Sequence, residues 1–238
     1  MAITTVMFDL DGTLLPMDLD EYLGCYFQRL IQKLIPYGYD PKKLTASIQC
    51  AVEAMVQNDG RKTNEEAFWE SHRRVMGEAD AVTSRPMLED FYRNEFQQVK
   101  AVCGFMPEAK DILEFCRSKG LRVILATSPL YPRVATESRI RWAGLQPEDF
   151  DFITTYEDSH YCKPNPDYYR EILNKLALSA DECLMVGNDV REDMIARDVG
   201  MDVFLLPADL INKDQKDISQ YPSGDLADLM AYIEKILG

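Results

Sequence analysis

VMFDLDGTLL, residues 6–15, runs a stretch of apolar residues straight into two aspartates separated by one leucine. Carboxylates at the end of a buried strand repel one another and lose hydration, so the pattern demands a neutralising partner. A metal cation is one such partner, and a reaction that uses both acids is a reason to keep them. Gly12, directly after the second acid, lets the chain bend as the strand ends.

Working outward, short β-rich apolar runs recur at 4–9, 121–127, 151–155, 183–187 and 202–206. The near-continuous apolar character of 121–126 and 183–186 predicts strands covered on both faces, as in a parallel sheet. Helical patterns fall between them at 107–119, 132–143 and 166–178, each with proline near its start, and an amphipathic pattern closes the chain at 225–237. Alternating strand and helix predicts a doubly wound α/β fold with right-handed crossovers.

The interval between the first two strands is different. Within it, residues 17–100 carry four helical patterns, at 18–35, 41–57, 63–76 and 86–99, and no strand. That is far more chain than one crossover needs. The expected organisation is therefore an α/β core domain of residues 1–16 and 104–238 with an inserted helical domain, residues 17–103. Linkers are expected near Leu15–Met17 and Cys103–Gly104. Residues 208–224 read as a polar loop.

Composition bounds the function. The chain has 238 residues, 46% of them hydrophobic, and a formal net charge of −14. That is enough to bury a full core, and the negative field argues against nucleic acid or an anionic membrane as a general partner. A small phosphorylated substrate needs only a local positive site and stays compatible. The six cysteines show no CxxC spacing, which points to reduced, buried thiols. There is no signal-peptide pattern and no run of transmembrane length, so the expected location is cytoplasmic. The sequence does not speak to oligomeric state.

In open α/β sheets, ligands bind beyond the carboxyl ends of the strands. The first strand ends in Asp9 and Asp11 with Gly12 and Thr13; the second ends in Thr127 and Ser128. Lys163 and Pro164 follow the third, and Asn188, Asp189, Glu192 and Asp193 follow the fourth. Taken singly, each has an ordinary explanation: a solvated turn, a helix cap, a lysine before a helix-starting proline. Four in order, each at or just beyond a strand end, reverse those odds.

The set resembles the haloacid dehalogenase superfamily of phosphohydrolases, through DLDGT (9–13), ATS (126–128), KP (163–164) and GNDVRED (187–193). The helical insertion resembles that superfamily's type-1 cap. The resemblance implies a phosphatase acting on a small phosphorylated metabolite, with Asp9 as nucleophile and Asp11 as general acid and then base. Thr127 and Ser128 would hold phosphate oxygens alongside Asp11 and Gly12, and Lys163 would add positive charge. Mg²⁺ would be the cofactor, held by Asp9, Asp11, Asp189 and Asn188, with Asp193 supporting.

The fourth element departs from the usual pattern, which has an acid where this chain has Asn188. Counting back from Gly200 selects Asn188 and Glu192 as the family positions, and anchoring on the acids selects Asp189 and Asp193. Charge favours Asp189 as the direct metal ligand. A phosphomutase would keep every core residue; a dehalogenase would not need Asp11; a catalytically silent binding module would tolerate Asn188. Elsewhere, His72, Arg73 and Arg74 read as a solvated helix face, and Trp69 and Trp142 as packing residues.

Overall fold

The computed structural model describes residues 2–238. Five parallel strands form one sheet in the order β3-β2-β1-β4-β5. They are β1 (Thr5–Phe8), β2 (Arg122–Leu125), β3 (Phe152–Ile153), β4 (Cys183–Gly187) and β5 (Asp202–Leu205). β1 is central, its Phe8 in register with Leu125 on one side and Val186 on the other. The expected third strand shrinks to two residues at the sheet edge.

Strand periodicity builds two core layers from one sheet. Val6, Phe8, Val123, Leu125, Leu184 and Val186 face one apolar cluster. Met7, Ile124, Met185 and Val203 face the other. Helices α5 (Glu108–Ser118), α6 (Arg133–Trp142) and α8 (Leu226–Leu237) cover the first cluster, and α7 (Pro166–Leu176) covers the second. Because both faces are covered, all four β1 side chains are buried, which is why Val6, Met7 and Phe8 follow one another without a polar residue between them.

Between β1 and α5 the chain runs through four helices before α5 leads it back to β2: α1 (Leu19–Leu34), α2 (Pro41–Val56), α3 (Asn64–Met76) and α4 (Glu78–Arg93). An expectation fails here. The fourth pattern, expected at 86–99, is instead α4 with Pro86 in its interior, followed by a 3₁₀ segment, Glu95–Val102. Proline commonly stands in the first turn of a helix, where its missing N–H costs nothing. Ala81 and Ser84 are buried on one side of it and Leu88 and Phe91 on the other, so tertiary burial carries the helix through. The two connections to the sheet lie side by side: Met17 bridges Cys103, and the Gly104 amide donates to the Pro16 carbonyl at 2.7 Å.

His72 is a second departure. It is fully buried rather than on a solvated face, while Arg73 and Arg74 are exposed. Its imidazole lies 3.2 Å from the Ser47 hydroxyl of α2 and 2.9 Å from the Ser84 hydroxyl of α4, tying three helices together. Burial lowers its pKa to about 4, below the ordinary value near 6.5. The folded state therefore favours the neutral ring, and this contribution is complete above pH 6.5 and lost as pH falls toward 4. Urea unfolding should show about 3 kcal/mol of stability lost across that window. His72→Gln should flatten that part of the profile; an unchanged slope would contradict the assignment.

Trp69 and Trp142 are buried, with the Phe96 and Trp142 ring centroids 4.8 Å apart where the inserted helices meet α6. Among the described residues, no helix is long and apolar enough to cross a membrane.

Candidate active site

The sheet order reverses at β1: the chain steps outward through β2 to β3, then reappears as β4 on β1's other side. A crevice opens at such a switch point, beyond the carboxyl ends of the strands. Asp9 sits there, directly after β1, with its amide donating to the Val186 carbonyl at 2.9 Å. Its carboxylate is buried and accepts from Lys163 Nζ at 2.8 Å. Lys163, 1% exposed, also donates to Asp193 Oδ1 at 2.6 Å.

That triad is held from below. Asp193 Oδ2 accepts from the Asp189 amide at 2.9 Å. A Cβ at Gly187 would stand 2.1 Å from the same oxygen, so β4 must end in glycine for Asp193 to reach in. Burial opposes the charge on Lys163, but Asp193 and Asp9 overcome it and hold its pKa well above the ordinary lysine value. Burial pushes the Asp193 carboxyl up, against the pull of the Lys163 ammonium. Glu192, beside them, is pushed up to about 8, chiefly by burial.

Asp11 comes two residues after Asp9, and Gly12 turns the chain with φ +79°. A Cβ on Gly12 would lie 2.3 Å from Asn188 Nδ2. Asn188 acts as a strut: its Oδ1 accepts from the Thr13 hydroxyl at 3.1 Å, and its Nδ2 donates to the Asp209 carbonyl at 2.6 Å. The polar loop thereby acquires a purpose. Ile211 exchanges backbone hydrogen bonds with Val190 and Asn188, both 2.9 Å, and closes one side of the site. Asp189 Oδ1 accepts from the Arg191 and Glu192 amides at 2.7 and 2.9 Å, fixing the turn after β4.

Arg139 is the residue that sequence reasoning missed. It lies on α6, 1% exposed, and donates to Asp11 Oδ2. Its guanidinium stacks over the Tyr131 ring at 4.4 Å, and Nη2 donates to Thr136 Oγ1 at 3.3 Å. Burial pushes the Asp11 carboxyl up; Arg139 pulls it down and Asp9 adds to the rise, with an upward shift as the outcome. Asp11 Oδ1 is buried without a hydrogen-bond partner, as is the Ser128 hydroxyl. A helical signal for Arg139 does exist. It stands four residues after Ala135 and three before Trp142, on the apolar face, whereas Arg141 falls on the other.

Asp9, Asp11, Gly12, Thr127, Ser128, Asn188, Asp189, Glu192 and Asp193 all border one cavity of about 850 Å³, whose opposite wall comes from α1 and α2. Lys163 lies beneath it. Arg133, by contrast, pairs with Asp158 on the surface at 2.9 Å.

Among the described residues, no three or more His, Cys, Asp or Glu side chains are already gathered as a metal-binding group. Mg²⁺ does not require one, since it takes one or two carboxylates with water and substrate oxygens completing the shell. The donors here are hard oxygens, the Asp9 and Asp189 carboxylates and the Asn188 side-chain oxygen, all bordering the same cavity. The residues present fit Mg²⁺.

A purely structural core gains nothing from an ammonium buried between carboxylates, since apolar groups of similar volume are often as stable or more so. Such arrangements gather at catalytic centres, and an α/β sheet with one at its switch point is the architecture of an enzyme. This chain belongs to the haloacid dehalogenase-like hydrolase family, whose model matches residues 6–206.

Relatives agree with that membership. The candidate phosphatase YhcW of Bacillus subtilis strain 168 is 26% identical over 210 residues, covering 86% of this chain and 84% of that protein. Pyrophosphatase PpaX of Halalkalibacterium halodurans is 23% identical, covering 84% of this chain and 82% of its own length. Among solved structures, the HAD-hydrolase YfnB of Bacillus subtilis, bound to magnesium, superposes with a TM-score of 0.57 at 18% identity. That superposition covers 98% of this chain and 100% of YfnB, and at that identity it speaks for the fold.

Proposed function

We propose that this chain is a Mg²⁺-dependent phosphatase that moves the phosphoryl group of a small phosphate monoester first to Asp9 and then to water. The observation that carries the proposal is Asp9 held at 2.8 Å by a buried lysine at the floor of a deep cavity, with Asp11 two residues away. An Asp9 oxygen attacks phosphorus, and the bond to the leaving oxygen breaks as Asp11 gives that oxygen its proton. Asp11 then takes a proton from water as the water oxygen attacks phosphorus, which releases phosphate and restores the Asp9 carboxylate. An upward-shifted Asp11 suits this exchange, because a general acid works best with a pKa close to the operating pH.

Thr127 and Ser128 serve as donors to the phosphoryl oxygens, and the unpartnered Ser128 hydroxyl supports their having a partner to gain. Lys163 lowers the cost of bringing a dianion to Asp9. Mg²⁺, when bound, supplies positive charge to the phosphoryl oxygens. Asp9, Asp189 and the Asp11 backbone carbonyl would hold it. Asn188, whose side-chain oxygen already accepts from Thr13, would contribute through its remaining lone pair or through water. Asp193 orients Lys163.

Residues 17–103 act as a cap domain, and the paired connections at Pro16–Gly104 and Met17–Cys103 are its hinge. Closure would exclude bulk water during transfer. A mutase would use the same core and return the phosphoryl group to a sugar; the presence of Asp11 argues against a dehalogenase.

The test is phosphate release from a simple aryl phosphate during metal removal. Chelation with EDTA should abolish turnover, and Mg²⁺ should restore it. Turnover that persists in the chelated protein would overturn the metal requirement.

A further inference from the structure

Resting on the phosphatase reading, we infer that the leaving group is an uncharged, largely apolar alcohol that carries no second anionic group. The cavity has two chemically distinct ends. Its floor is the acid rim. Its opposite wall is built by Tyr22, Tyr26 and Phe27 of α1 and by Val52 and Val56 of α2. Leu19 and Val56 border the cavity while remaining 36% and 38% exposed, so the apolar surface continues to solvent.

Charge decides the class. Among the described residues lining this cavity there is no lysine, arginine or histidine, and the α1–α2 side contributes Asp18 and Glu53. Two buried cations that touch its lining residues are already engaged: Lys163 by Asp9 and Asp193, Arg139 by Asp11 and Tyr131. A carboxylate or second phosphate on the leaving group would give up its hydration with no partner to replace it, and would face like charge as well. A ring or alkyl chain would instead gain burial and edge-to-face contact with the tyrosine and phenylalanine rings.

The experiment compares three alkyl phosphates, so that leaving-group reactivity is similar: 2-phenylethyl phosphate, glycerol 3-phosphate and phosphoglycolate. The expected kcat/KM order is phenylethyl, then glycerol, then phosphoglycolate, with about 100-fold or more between the extremes, as an unpaired buried charge implies. Glu53→Lys, an exposed charge reversal at the wall, should narrow that ratio about tenfold by improving phosphoglycolate. Val52→Lys repeats the test should the first variant fold poorly. Phosphoglycolate or glycerol 3-phosphate turned over as well as the phenylethyl ester would overturn this inference and leave the phosphatase reading standing. Release from none of the three, with an aryl phosphate also inert, would overturn both.

Discussion

Asp9→Asn is expected to lower kcat for any hydrolysed phosphate ester by about 10⁴-fold or more, the scale seen when a covalent nucleophile is removed. The amide matches the carboxylate in shape, and its oxygen can still accept from Lys163 at the position Oδ1 holds now. The variant also relieves one of the negative charges crowded around Asp193 and Glu192. Its stability should therefore change by no more than about 2 kcal/mol in urea unfolding. A folded protein without turnover separates chemistry from structure at this position. A variant that keeps more than a few per cent of wild-type activity would mean that another group attacks phosphorus.

Lys163→Ala should fail in both respects. Removing one partner of a buried ion pair leaves the other uncompensated, at a cost of about 3–5 kcal/mol, and here two carboxylates, Asp9 and Asp193, lose the same ammonium. The cost should depend on pH. Without the lysine, burial raises the folded-state pKa of Asp193 further above the unfolded value, and its carboxyl takes up a proton more readily in the fold. Carboxyls shifted in that direction favour the fold most at low pH and lose that favour as pH rises through the folded pKa. Urea unfolding at pH 8 should thus show a larger deficit than at pH 6, and activity should be absent at both. An equal deficit at the two pH values would contradict a buried, charge-driven role for Lys163.

Much of this rim was legible because of geometry that a parallel sheet imposes. β1, β2 and β4 are buried on both faces, so their sequences are continuous apolar runs, and where the apolar character stops the ligand edge begins. Asp9, Thr127 and Asn188 could be located by that rule alone, and Lys163 by its nearness to the third strand. Arg139 was hidden because a helix with arginines at 139 and 141 reads as solvated. Helix periodicity puts Arg139 on the apolar face, and its partner Asp11, more than a hundred residues earlier, is what makes burying that charge tolerable. His72 was hidden similarly: Ser47 and Ser84 come from two other helices, and no local pattern predicts their convergence. The loop after β5 looked idle because its contribution is backbone, the Asp209 carbonyl and the Ile211 amide and carbonyl, which any sequence provides.

Asn188 links two parts of the site. Its amide bonds in two directions at once, accepting from Thr13 and donating to the polar loop. A carboxylate could not donate to Asp209. The asparagine joins the Gly12 turn to the loop beside it, and Asp189 follows one residue on.

Asp9 is expected to carry the phosphoryl group between substrate and water. The most direct measurement is a rapid acid quench of wild-type protein mixed with Mg²⁺ and an aryl phosphate, followed by mass spectrometry of the peptide that contains Asp9. A phosphoryl group on Asp9 during turnover, absent from Asp9→Asn, is the predicted result. Phosphate release from the wild type with the Asp9 peptide unmodified and the label on another side chain would contradict it.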